Sequence, residues 1–132
     1  MFELETIQAL AQLGVTALSQ EPLGPYNVDL FIEEGAVAVE IYSTHPGRER
    51  MADLHQRTEY LLNRGVSVLI VQINYPRRVF SMPDVCVQIL AFTEFVRRNK
   101  TAGAQYGVVR GDGKIAAASS HHLNNRPAVV AF

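Results

Sequence analysis

The sequence predicts one α/β domain, a mixed sheet flanked by helices, and three observations carry that expectation. Helical and strand periodicities alternate along the chain. The run Val66 to Ile73 is nearly all apolar and β-branched, as expected of a central strand covered on both faces. A length of 132 residues with 48% hydrophobic content suits one domain with its own core, so residues 1–132 are read as a single unit.

Leu4, Ile7, Leu10, Ala11 and Leu13 recur at helical spacing before Gly14, which predicts a first helix over 3–13. Val15 to Gln20 is expected to be a strand, ended by the breaker run Glu21-Pro22-Leu23-Gly24-Pro25. From Tyr26 to Glu33, apolar Val28, Leu30 and Ile32 alternate with other residues, the pattern of a second strand. Glu34-Gly35 makes a tight turn into a third strand, Ala36 to Tyr42. Ser43 to Gly47 breaks the pattern. A helix over 48–64 then presents Met51, Leu54, Thr58, Leu61 and Leu62 inward, and Gly65 ends it. After the strand Val66 to Ile73 and the interruption Pro76-Arg77-Arg78, the spacing of Val85, Ile89, Phe92 and Val96 predicts a third long helix to about Asn99. Tyr106 to Arg110 and Lys114 to Ala118 read as a terminal hairpin around Gly111-Asp112-Gly113, packed on the sheet edge.

Charge is unevenly placed. No Lys or Arg precedes Arg48, and the first 47 residues hold seven carboxylates; the remainder holds all 12 basic residues against six acids. One part could hold a cation and the other a polyanion, or the two sets could simply mix on a solvated surface. Cys86 is the only cysteine, which excludes an internal disulfide and a cysteine-rich zinc site. No stretch reaches the roughly 18–20 unbroken apolar residues of a membrane span, and Met1 to Leu13 lacks the pattern of a signal peptide, so a cytoplasmic protein without membrane contact is expected.

If Glu34 and Gly35 are the two turn residues, counting outward along the strands sets Asp29 opposite Glu40 and Asn27 opposite Tyr42, all on one face. Directly opposed like charges are destabilising. A divalent cation would offset that repulsion, since Mg²⁺ takes hard oxygen ligands and commonly uses one or two carboxylates with phosphate and water. The alternative is the solvent face of an antiparallel sheet, where acids are ordinary.

The order Pro25-Tyr26-Asn27-Val28-Asp29-Leu30-Phe31-Ile32, then Ala38-Val39-Glu40-Ile41-Tyr42, resembles the signature of PD-(D/E)xK nucleases. It is most similar to the branch related to very-short-patch repair endonucleases, and His45, Arg48, Arg57 and Gly65-Val66-Ser67-Val68-Leu69 follow in the order found there. The likeness spans residues 3–74 and lies in order and spacing; nothing comparable covers 100–132. It implies a restriction-endonuclease-like αβββαβ core with a mixed sheet, here followed by a C-terminal helix and hairpin. It implies metal-dependent hydrolysis of DNA phosphodiester bonds, with Mg²⁺ or Mn²⁺ held by Asp29, Glu40 and Glu5 on the first helix, Glu3 being the less favoured choice. His45 would act as general base or steady the leaving group, or else be an ordinary loop histidine. Arg48, Arg50 and Arg57 would contact phosphate, unless they pair with Glu49 or Asp53 on the surface.

One position departs from the signature. Tyr42 stands where the family has Lys and the nearer relatives Asp, and neutral Tyr replaces neither a positive charge nor a metal ligand. Two expectations follow: a DNA endonuclease whose catalytic set is Asp29, Glu40, Tyr42 and His45, or a non-catalytic nucleic-acid-binding or assembly module on the same scaffold. A homodimer or larger complex is compatible with either. A third, a regulatory domain without nucleic acid, is favoured by the pI of about 6.4. Arg110-Gly111-Asp112 reads as a turn, and His121-His122, among Ser and Asn residues, as a polar loop.

Overall fold

The computed structural model describes residues 3–42, 48–73, 80–116, 128–129 and 131–132, with the backbone alone for 48–52. The elements run α1 (Glu3–Gln12), β1 (Leu18–Leu23), β2 (Tyr26–Ile32), β3 (Val37–Tyr42), α2 (Arg48–Asn63), β4 (Ser67–Gln72), α3 (Met82–Arg98) and β5 (Tyr106–Arg110). The five strands form one mixed sheet in the order β1-β2-β3-β4-β5. The first two pairings are antiparallel and the last two parallel, as hairpins and helical crossovers respectively require.

Helices cover both faces. One side of the sheet buries Leu30, Ile32, Val37, Val39, Leu69 and Val71 with Leu10 of α1 and Ile89 and Phe92 of α3. The other buries Ala38, Val68, Ile70 and Val108 with Leu54, Leu61 and Leu62 of α2. Every residue of β4 is buried, which accounts for its continuous apolar run. No helix among the described residues is long and apolar enough to cross a membrane.

Two elements differ from expectation. The first strand is not 15–20 but Leu18–Leu23, continuing through Glu21-Pro22, with Leu23 paired to Tyr26 across a turn at Gly24-Pro25. Because β1 is the sheet edge, Pro22 interrupts no interior ladder. Gly24 carries the turn at φ 63°. At the other end, Tyr106–Arg110 is the fifth strand, parallel to β4, because α3 carries the chain across the sheet before it. Its hairpin arm shrinks to a bridge between Val109 and Ile115, and residues 117 and 118 of the expected arm lie outside the described residues.

Candidate functional site

The β2–β3 ladder pairs Ile32 with Val37, Phe31 with Ala38 and Leu30 with Val39, the register counted from the Glu34-Gly35 turn. One further step would set Asp29 opposite Glu40, but the ladder stops short of it. Asp29 Oδ2 instead accepts the Ile41 backbone N–H at 2.8 Å, so a carboxylate takes the amide that a strand would otherwise satisfy. Pairing with β1 also skips this level: Ser19 meets Leu30 and Glu21 meets Val28, while Gln20 between them has φ 51°. The Gln20 side-chain amide donates to Asp29 Oδ1 at 3.3 Å. Val28 and Phe31 both pack on the α2 side, so the two-residue alternation of β2 slips at Asp29.

Glu40 is 3% exposed and points toward α2, from which Arg57 Nη2 reaches Glu40 Oε1 at 3.1 Å. The same Nη2 donates to the Asn27 carbonyl at 2.8 Å, and the guanidinium lies 5.1 Å from the centre of the Tyr26 ring. Burial nevertheless outweighs the ion pair. It pushes the Glu40 carboxyl up to about 7, with the nearby charge of Asp29 adding to the rise and Arg57 opposing it. Asp29 is also raised, chiefly by burial, against the hydrogen bonds from Ile41 and Gln20. Burial, and next the charge of Glu40, pushes Tyr42 up to about 12, so its phenol is a neutral donor. A carboxyl group titrating near neutrality can give or take a proton at ordinary pH.

The predicted residues are therefore partly gathered. Asp29, Glu40, Tyr42 and Arg57 act on one another electrostatically. Glu5 is exposed on α1, and it is Glu3 whose charge acts on Asp29. His45 lies outside the described residues, as do the side chains of Arg48 and Arg50. Among the described residues no three His, Cys, Asp or Glu side chains gather as a metal-holding group, so the available acidic donors are Asp29 and Glu40.

Two further residues share this end of the sheet. Tyr42, Gln72 and Arg110 pair in register across the carboxyl ends of β3, β4 and β5, the edge at which open α/β sheets bind ligands. Gln72 is buried. A polar residue closing the apolar run of β4 was a signal available in the sequence; the alignment of Arg110 beside it was not, since it depends on which strand β5 joins. A separate cleft of about 410 Å³ lies at the opposite end, by Gly35 and α3. On its rim Arg97 pairs with Glu34 and with Glu94.

No family model matches the chain, and neither the curated proteins nor the solved structures give a match.

Proposed function

We propose that the chain is a nuclease-like domain that engages nucleic-acid phosphodiesters at Asp29, Glu40 and Arg57. The observation that carries this reading is Glu40, a buried acid held beside a second acid at the strand-end edge, in an environment that leaves its charge under-compensated despite Arg57. The element order from α1 to β4, with a mixed sheet flanked by helices, is that of the αβββαβ core implied by the resemblance to PD-(D/E)xK nucleases, and this supports the reading.

The donor set suits Mg²⁺ or Mn²⁺. Asp29 and Glu40 offer hard carboxylate oxygens, two being a common number where phosphate and water complete the shell. When bound, such an ion supplies Lewis-acid polarisation of phosphate and an acidified water. The chain's own residues orient and balance charge: the Ile41 amide and Gln20 fix Asp29, and Arg57 offsets Glu40 and presents further N–H donors toward a phosphate oxygen. Tyr42 holds its proton as a donor beside them.

The test is cleavage of plasmid, linear and single-stranded DNA with Mg²⁺ or Mn²⁺, alongside melting with and without metal. Metal should raise the melting temperature by mass action, and Asp29→Asn should abolish that rise. Cleavage should fall by several orders of magnitude in Glu40→Gln, as expected when a group acting in the transition state is removed. No cleavage, no DNA binding at low salt and an equal metal shift in wild type and Asp29→Asn would overturn the proposal.

A second reading, a nucleic-acid-binding module without hydrolysis, is favoured by two observations. Arg57 already pairs with Glu40, and Tyr42 supplies no charge. DNA binding without cleavage, with metal-dependent cleavage gained in Tyr42→Lys, would select it.

A further inference from the structure

Two buried side-chain nitrogens lack a hydrogen-bond partner among the described residues, and both are guanidinium nitrogens: Nε of Arg57 and Nε of Arg110. A buried donor left unmade costs free energy, so each calls for an acceptor that the described protein groups do not supply. Their positions are related. Alternation along β5 sets Arg110 on the face of Tyr106 and Val108, and along β4 it sets Gln72 on the face of Val68 and Ile70; both faces pack on the α2 side, where Tyr42 and Arg57 also lie. Adjacent strands are about 4.8 Å apart, so the row from Tyr42 through Gln72 to Arg110 spans roughly 10 Å at the backbone. Arg57 spends part of its charge on Glu40 at one end of this row. At the other, Arg110 has no acidic partner among the described residues.

We propose that Arg110, with Gln72 and Tyr42 beside it, forms a second phosphate contact that takes a phosphodiester neighbouring the one engaged at Asp29, Glu40 and Arg57. The inference rests on the phosphodiester reading of that site and adds to it the track of the strand: across the carboxyl ends of β3, β4 and β5. The chemistry is suited to it. A guanidinium presents paired N–H donors to phosphate oxygens, and an amide and a phenol add neutral donors between the two cations without adding charge. An unpaired arginine at a solvent-accessible edge could be only a surface charge, but its Nε is buried, so the group is held against the sheet and not free in water.

The test is the salt dependence of binding to a short DNA duplex and to the same strand alone, in EDTA, for wild type, Arg57→Met, Arg110→Met and Arg110→Lys. Each lost phosphate contact lowers the slope of log K against log salt by about 0.9 on duplex and about 0.7 on single strand. Arg110→Met should show that loss and Arg110→Lys should regain the slope, because the charge is kept, while binding more weakly than wild type for want of the paired donors. A merely structural arginine would change melting without moving the slope; if Arg110→Met proves too unstable to measure, Arg110→Gln supplies the same comparison. A wild-type slope in the Arg110 variants together with a reduced slope in Arg57→Met would overturn the second contact and leave the first site standing. Absence of binding by wild type, or unchanged slopes in both arginine variants, would overturn both.

Discussion

Glu40→Gln removes the titrating oxygen with almost no change in shape, and its effect on stability should change with pH. The Glu40 carboxyl stands at about 7 in the folded chain against an ordinary 4.5. With the folded value raised, the folded state binds the proton more tightly than the unfolded state. The favourable contribution is fully present below the ordinary value and is lost as pH rises through about 7. A gap of that size corresponds to about 3 kcal/mol over the whole range, at about 1.4 kcal/mol for each pH unit. Gln resembles the protonated acid, so the variant should not suffer this loss. Urea unfolding in EDTA at pH 5 and pH 8 reads it directly: the stability of Glu40→Gln relative to wild type should rise by about 2 kcal/mol between the two, since part of the titration lies outside the window. Titrating groups remote from Glu40 are common to both proteins and cancel, while the repulsion between Asp29 and Glu40 is part of the difference that is read. An equal difference at both pH values, or a variant that loses ground as pH rises, would show that Glu40 is not a buried acid starved of positive charge, and the argument for a cation site would lose its basis.

Arg57→Met should destabilise by roughly 2–4 kcal/mol at pH 8, where Glu40 and the Asn27 carbonyl lose their partner, and by clearly less at pH 5, where Glu40 can take up a proton; urea unfolding at both pH values measures it. Gly24→Ala should cost about 1–3 kcal/mol, because φ is 63° and an added Cβ would lie 2.7 Å from Cζ of Tyr60, a distance that forces the ring away from its edge-on contact with Tyr26; a fall in melting temperature with an otherwise native spectrum is the expected result.

The sequence spoke most clearly where structure is local. The Glu34-Gly35 turn fixes the β2–β3 register from Ile32 opposite Val37 to Leu30 opposite Val39, and counting along it points toward Asp29 and Glu40, but the ladder ends one step before them and does not reach Asn27 and Tyr42. Spacing likewise sets the inward Leu54, Thr58, Leu61 and Leu62 of α2, the side chain of Met51 lying outside the described residues, and the continuous apolar run marks the buried β4. The first strand runs through Pro22, against expectation, because proline breaks a central strand but not an edge one, and edge position is decided by the whole sheet. The sequence places Arg110 at the end of a hairpin arm and the start of a turn, and its alignment with Gln72 and Tyr42 depends on β5 joining β4 across α3. Glu3 and Glu5 stand two positions apart on α1, on different faces of the helix, and the docking of α1 decides that Glu3 is partly buried and Glu5 exposed.

Several features that count against stability lie near one another. The β2 ladder breaks on both sides of Asp29, Gln20 takes a left-handed backbone, Glu40 is buried with an insufficient counter-charge, and the two orphaned arginine nitrogens lie on the same side of the sheet. Elsewhere the described core is mainly apolar, with Thr6, Thr58 and Ser67 as further buried polar side chains, and Ala36 in the β2–β3 turn is the other described non-glycine residue at positive φ. Departures from local rules that cluster in this way mark a site more strongly than any one of them, because a chain selected for packing alone gains nothing from them. Their chemistry is also complementary. The two acids want a cation and the two guanidinium groups want anionic acceptors. A phosphodiester strand with its associated divalent ion supplies both at once, whereas a cation alone leaves the arginines unmet and an anion alone worsens the burial of Glu40.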